Sequence, residues 1–383
     1  MNNNNKHIRV MIGLSGGVDS AVAAYLLKQQ GYDVIAGFMR NWDALANSDQ
    51  LGNPTLTQDI CPQEVDYIDA QHVAAQLNIP LFRIDFVKEY WDHVFSFFLK
   101  EYELGRTPNP DILCNKYIKF DAFHHFAQGH GASMIAMGHY AKRIEKPDGR
   151  VAMGVSLDDN KDQTYFLSQV SQAQLANTLF PLADLPKEEV RRIAQSLNLS
   201  VASKKDSTGV CFIGERNFRE FLKNYIPAHP GVMIDIVSNQ PVGQHEGVYY
   251  YTIGQRKGLG IGGSKSLGSD KWFVVKKDVK NNLLYVAQGE ENHYLLSDEI
   301  TVSMLNWIHH SPKIGEEYLA RFRHRQTLLP VTIQSLTDQT LTLRFPQGYK
   351  AITPGQGAVL YKGRECLGGG LIDQVYYQGL QRL

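Results

Sequence analysis

Three stretches of the chain hold residue types that can do chemistry. Ser15-Gly16-Gly17-Val18-Asp19-Ser20 follows the apolar run 8–14, and Val18, Val22 and Leu26 then recur at helical spacing. A small-residue turn between a strand and a helix presents free amides and partial positive charge to an anion. Both Gly16 and Gly17 are expected to take positive φ there and to let a phosphate approach the backbone. Ser15 and Ser20 add hydroxyl groups. No Lys-Ser or Lys-Thr follows the glycines, so this is not the ordinary P-loop. Read blandly, the same letters are a serine-capped turn.

The second and third stretches carry thiols. Cys114 ends Thr107-Pro108-Asn109-Pro110-Asp111-Ile112-Leu113-Cys114, and Cys211 lies in Lys204-Lys205-Asp206-Ser207-Thr208-Gly209-Val210-Cys211. Two prolines stiffen the first loop, which places Cys114 or Asn115 at the start of a helix predicted over about 115–128. A thiol at a helix N-terminus beside Lys116 and Lys119 gains thiolate character. Either cysteine, taken alone, reads equally well as a core residue. Asp111 is the carboxylate nearest Cys114 in sequence; it is an acid–base candidate, or simply a helix cap.

The elements that must position these groups follow from periodicity. Strand-like runs at 8–14, 33–39, 80–86 and 133–137 alternate with helical patterns at 18–30, 63–77, 88–104 and 115–128. Such alternation predicts a parallel sheet covered on both faces. Pro186 opens a further helix, and 243–268 is Gly-rich with little periodicity. From about 290, short alternating runs predict five or six antiparallel strands, enough for a small barrel. Arg321, Arg323 and Arg325 alternate there and would share one strand face.

Composition bounds the rest. The 383 residues are 43% hydrophobic and 20% charged with no formal net charge, which excludes a polycation, a disordered chain and a coiled coil. Residues 301–383 nevertheless hold nine Lys or Arg against five Asp or Glu, so a nucleic-acid face would be local. Four cysteines are too few for a disulfide-stapled secreted fold. With no signal-peptide pattern and no long apolar span, a cytoplasmic protein without membrane contact is expected. Gly258-Leu259-Gly260-Ile261-Gly262-Gly263 matches a dinucleotide fingerprint, but no βαβ unit surrounds it. The pairs His124-His125 and His309-His310 lack zinc-site spacing and read as structural or surface residues.

The motifs taken together resemble one family. The six residues 15–20, then 107–115, Gly138-His139-Tyr140-Ala141, 161–167, 206–214, 251–263 and 366–370, in this order, are similar to the bacterial tRNA-specific 2-thiouridylases, members of the ATP pyrophosphatases. The resemblance covers about residues 8–375. It implies an α/β fold with three parts: a PP-loop domain of the adenine-nucleotide α-hydrolase type over 1–212, a small central domain over 213–290, and a C-terminal antiparallel β-barrel over 291–383.

The family replaces the C2 oxygen of the wobble uridine by sulfur, with ATP activating that oxygen. The resemblance therefore implies ATP at Gly13, Leu14, Ser15, Gly16, Gly17, Val18, Asp19 and Ser20, with Met39 and Gly138 on the adenine side and Mg2+ accompanying the phosphates. It implies a persulfide on Cys211, Cys114 as partner thiol, and Asp111 with Asn109 and Pro110 around the target base. Release of sulfide through a Cys114–Cys211 disulfide and direct attack by the persulfide both stay open. The tRNA anticodon arm would meet His139, Lys161, Asp162, Gln163, Arg323, His324 and Gln356; where the family commonly has an aromatic residue, this chain has His324. An upstream sulfur carrier or cysteine desulfurase is implied as the donor. Two rivals exist: a ligase or amidotransferase on the same loop leaves the cysteine motifs unexplained, and a non-catalytic RNA binder would have no use for them.

Overall fold

The computed structural model describes residues 5–53, 62–206, 217–261 and 270–382. The N-terminal part is built on strands β1 (Arg9–Gly13), β2 (Asp33–Arg40), β3 (Leu81–Asp85) and β4 (Met134–Ala136). A hairpin β5 (Lys142–Glu145) and β6 (Val151–Gly154) follows, then β7 (Thr178–Leu179). The sheet runs β3-β2-β1-β4-β7 with every pairing parallel. Val10, Met11 and Ile12 of the central strand are fully buried, as a strand covered on both faces requires. Helix α1 (Val18–Gln29) crosses from β1 to β2, and α2 (Pro62–Leu77) leads to β3.

Two long helices cover the sheet. One runs over 87–103 and the other over 110–129, each with a π-helical stretch inside (Trp91–Phe95 and Cys114–Ala122). The second begins five residues earlier than the sequence predicts. Asn109 accepts a hydrogen bond from the Asp111 amide (3.1 Å), and Pro110 occupies the first helical position with its φ already set.

The central part was not legible as strands. It holds β8 (Gly231–Asp235), β9 (Pro241–His245), β10 (Trp272–Asp278) and β11 (Leu283–Gln288), ordered β10-β11-β8-β9. A helix, Phe218–Lys223, ties it to the N-terminal part: Phe221 and Tyr225 pack on Trp42 and Phe95.

Strands β12 (Leu296–Trp307), β13 (Glu317–Arg321), β14 (Leu329–Leu336), β15 (Leu341–Lys350), β16 (Gly357–Lys362) and β17 (Glu365–Tyr377) form the C-terminal barrel, with β18 (Leu380–Gln381) beside β17. The order β12-β15-β14-β13-β16-β17 closes through β12–β17 pairing. The start of β17 reaches further and pairs with β6, Glu365 opposite Gly154 and Cys366 opposite Met153. The hairpin of the N-terminal part is therefore an extension of the barrel sheet. Strand β13 ends at Arg321, so the three arginines do not share one strand face. Arg323 and Arg325 lie in the following turn, exposed, while Arg321 turns inward to Asp162 (3.2 Å).

Candidate active site

In the five-stranded sheet the chain steps from β1 to β2 on one side and later returns to β4 on the other. Ligands of such sheets sit beyond the carboxyl ends of the strands flanking this reversal. The turn 14–17 and Gly138 occupy that place. Leu14 and Val18 send their side chains into the core, and the Leu14 amide donates to the Gly37 carbonyl (2.9 Å), so a ligand could meet these two residues only through the remaining backbone groups.

The turn is closed by its own serines. The Ser15 amide donates to Ser20 Oγ (3.2 Å), the two hydroxyls lie 3.1 Å apart, and Ser20 Oγ donates to the Gly17 carbonyl (3.0 Å). Gly16 takes φ +73°, and a β-carbon there would lie 2.2 Å from the Asp66 carbonyl oxygen. Gly17 differs from the expectation: it is the extended N-cap of α1, φ −105°. No side chain caps that end, so the first-turn amides of α1 face the crevice. Gly138 is needed for closeness, since a β-carbon would lie 2.9 Å from the Ser20 nitrogen. Gly13 likewise admits Met39 and Met137, whose methyl and sulfur atoms crowd its missing side chain.

A ring of charges surrounds this loop. Lys187 Nζ contacts both Asp19 oxygens (2.7 and 2.8 Å) and Asp206 (2.8 Å). Lys204 Nζ reaches the Gly16 carbonyl (3.0 Å), Asp66 (2.7 Å) and Asp69 (2.6 Å). Asp206 also binds Lys161 (2.8 Å) and Arg191 (2.7 Å). Burial opposes its charge, but Lys161 and Lys187 hold the Asp206 carboxyl far below the usual range. Tyr140 Oη donates to Asp19 (3.0 Å); burial first, then that carboxylate, pushes its own ionisation far upward.

Lys187, Lys204 and Asp206 were not singled out as loop partners from sequence. The Lys187 and Lys204 contacts to the loop span well over a hundred residues and leave no local pattern, and Asp206 reaches the loop indirectly, through Lys187. One signal was readable: Lys187 opens a helix, where a cation opposes the dipole.

The thiol loop lies where the three parts of the chain meet. Thr107 donates its amide to the Pro354 carbonyl (2.9 Å) of the barrel, and Gln356 Nε2 donates to the Thr107 carbonyl (2.6 Å). Thr107 Oγ1 lies 3.5 Å from Thr252 Oγ1 of the central part. Cys114 is buried in the second turn of its helix rather than at the N-terminus. Lys116 does not face it: its ammonium donates to Gln169 Oε1 (3.1 Å), and burial lowers its pKa. From sequence a Cys114 thiolate rests on the helix end, Lys116 and Lys119; the structure sets Cys114 a turn inside the helix and engages the Lys116 ammonium with Gln169. Asn109 spends its side-chain oxygen on capping, and Asp111 is half-buried in the first turn. Cys211 lies outside the described residues.

A family model described as a tRNA methyl transferase HUP domain matches residues 8–215. A tRNA methyl transferase PRC-barrel domain matches 219–288, and an aminomethyltransferase beta-barrel domain 297–372. Full-length relatives are more specific. The chain is 53% identical over 374 residues to tRNA-specific 2-thiouridylase MnmA of Mycoplasma capricolum, covering 96% of this chain and 99% of the relative. It is 51% identical over 380 residues to tRNA-specific 2-thiouridylase MnmA 2 of Geobacillus kaustophilus (99% and 98%). Against the Acholeplasma laidlawii protein of the first name the figures are 52% over 375 residues (98% and 99%). The chain belongs to the tRNA-specific 2-thiouridylase family.

Within this 2-thiouridylase framework the expected RNA-side residues divide into two groups. Arg323 is exposed, and Lys161 is half-exposed on Asp206. His139 and Asp162 are buried, so their side chains offer no surface to a macromolecule in this arrangement. His139 packs against Phe120, and burial, then Lys119, holds its pKa well below 6.5. Asp162 spends its oxygens on Thr164 (2.8 Å) and Arg321. Gln163 Oε1 accepts from the Tyr140 amide (2.9 Å) and so steadies the residue that holds Asp19. His324 lies on Phe166, ring centroids 4.4 Å apart, beside the thiol loop's own helix: the Phe166 carbonyl accepts from Asn115 (3.1 Å).

Proposed function

We propose that this chain transfers sulfur to C2 of the wobble uridine of tRNA at the expense of ATP. The observation that carries the reading is the uncapped N-terminus of α1 at the sheet's reversal point, in a chain related over nearly its full length to 2-thiouridylases. ATP phosphates lie along residues 13–20, the departing pyrophosphate on the first-turn amides, with Lys187 and Lys204 re-pairing from their carboxylates. Met39 and Gly138 border the adenine.

The C2 oxygen attacks the α-phosphorus and pyrophosphate leaves. In one route Cys114 attacks the Cys211 sulfur of a Cys211 persulfide, forming a Cys114–Cys211 disulfide and releasing hydrosulfide, which attacks C2 as AMP leaves with the oxygen; an external dithiol then reduces the disulfide. In the other, the terminal sulfur of the persulfide attacks C2 directly as AMP leaves, with Cys114 or Asp111 moving the protons, and an external dithiol then cleaves the Cys211 S–S bond, which leaves the sulfur on the base. Asn109 and Pro110 border the base, while Lys161, Arg323 and Gln356 line the anticodon arm's approach. A donor protein renews the persulfide. Mg2+ would accompany the ATP phosphates and offset their charge; both Asp19 oxygens already face Lys187.

The test uses full-length protein with ATP, a persulfide donor and unmodified tRNA, following AMP release and the digested nucleosides by mass spectrometry. Formation of 2-thiouridine, lost in Cys211→Ser, is expected. AMP without sulfur in RNA and no effect of the substitution would overturn the reading, as would a gain of methyl mass instead.

A further inference from the structure

A cluster of ligand-type side chains lies away from the nucleotide crevice, at the seam between the barrel and the β5–β6 hairpin. His309 and His310 follow β12, and Glu365 opens β17. Strand pairing brings them together: the Ile308 amide donates to the Leu367 carbonyl (3.0 Å), and Glu365 stands opposite Gly154 of β6. Gln172 bridges the same seam through the carbonyls of Val151 and Ile308.

The two Nδ1 atoms lie 3.0 Å apart. Glu365 Oε1 lies 3.5 Å from that of His309 and 3.9 Å from that of His310. Ligands bound at about 2.0–2.1 Å around a tetrahedral zinc ion are separated by roughly 3.3 Å. The three atoms thus already approximate one face of such a tetrahedron.

The surroundings match a metal site's outer shell. His309 Nε2 lies 3.1 Å from Asp148 Oδ2 on the hairpin turn. That carboxylate keeps the proton on Nε2 and turns the Nδ1 lone pair inward, as the outer partner of a metal-bound histidine does. Glu365 Oε2 is held by Lys146 (2.5 Å), whereas Oε1 is buried and accepts no hydrogen bond. Lys146 pairs with Glu365, and Lys362, 3.9 Å from Glu316, adds positive charge near His310, so the local field alone offers a cation little. Nitrogen lone pairs must hold it, which selects a zinc-class ion over Mg2+ or Ca2+.

We propose that His309, His310 and Glu365 bind one divalent ion of the zinc class, water completing the shell, with Asp148 of the hairpin turn orienting His309 from behind. Binding replaces the contact between the two Nδ1 atoms and moves the remaining His310 proton to Nε2. From sequence the histidine pair looked inert because its third ligand lies 55 positions beyond His310.

The probe is Co2+, titrated into full-length, chelator-treated protein and followed by visible absorption. One equivalent should give d–d bands without thiolate charge transfer, and Zn2+ should displace it. His309→Gln and His310→Gln, checked for folding by circular dichroism, should abolish the bands. Asp148→Asn should weaken binding about 10–100-fold. Bands that persist in both histidine variants, a thiolate charge-transfer band in place of the expected spectrum, or no d–d bands in folded native protein would each overturn the proposal.

Discussion

Gly16 and Gly17 stand side by side in the loop, yet the structure predicts opposite responses to alanine. At Gly16 the left-handed backbone (φ +73°) costs a non-glycine residue about 1–2 kcal/mol. The new β-carbon would also sit 2.2 Å from the Asp66 carbonyl oxygen. That is roughly 1 Å inside the ~3.3 Å at which carbon and carbonyl oxygen ordinarily meet. Relief is difficult, because Lys204 joins the Gly16 carbonyl, Asp66 and Asp69 into one assembly. Overpacking of this kind adds about 1–3 kcal/mol, for a total near 2–5 kcal/mol. In a unit of about 200 residues that lowers the thermal midpoint by roughly 4–20 °C. Gly17, by contrast, is extended, and its β-carbon would meet only Ser15 Oγ at 3.4 Å. Gly17→Ala should cost under about 1 kcal/mol, a shift below roughly 4 °C. Thermal unfolding of both variants of the full chain, followed by circular dichroism, measures the contrast. Equal midpoints for the two would refute the assignment of strain to Gly16 alone.

Three further outcomes follow from the geometry. Asn109→Ala should destabilise by about 1 kcal/mol through loss of the helix cap, while Asn109→Asp should retain the cap; urea unfolding ranks them. Burial first, then Arg325 and Arg321, pushes His324 down to about 4, so the folded chain resists its protonation. The unfolded chain takes up that proton from about pH 6.5, so this contribution to stability is full above 6.5, falls as pH drops towards 4, and is constant below. His324→Phe should flatten the decline by keeping a ring on Phe166, as midpoints measured across this range would show. Burial pushes the Cys366 thiol up to about 12, so a thiol reagent at pH 8 should leave it unmodified in native protein and react after unfolding.

The parallel strands and the barrel were legible because buried strands are continuous apolar runs and half-buried ones alternate. The hairpin 142–154 was not: Lys142 to Glu145 is largely polar, and its partner strand is four residues long. The central sheet was hidden by its glycines and by long connections. In the site, the loop and the thiol stretch could be read because their residues are consecutive. The cationic ring could not, since Lys187 meets Asp19 only after the chain has folded. The arginine series failed for a local reason: the chain turns after Arg321, and its guanidinium is taken by buried Asp162.

The pairing of β6 with the start of β17 sets a clock on biogenesis. Strand β6 ends at Gly154 and its partner begins at Glu365, about 210 residues later. At ribosomal speeds of about 5–20 residues per second, that edge waits roughly 10–40 s for its partner to be made. During this interval Met153 and Gly154 present an unpaired ladder to any neighbouring nascent chain, a template for mispairing. A chain that stops before Glu365 leaves the edge open permanently, so truncated products should aggregate rather than accumulate as a smaller folded protein.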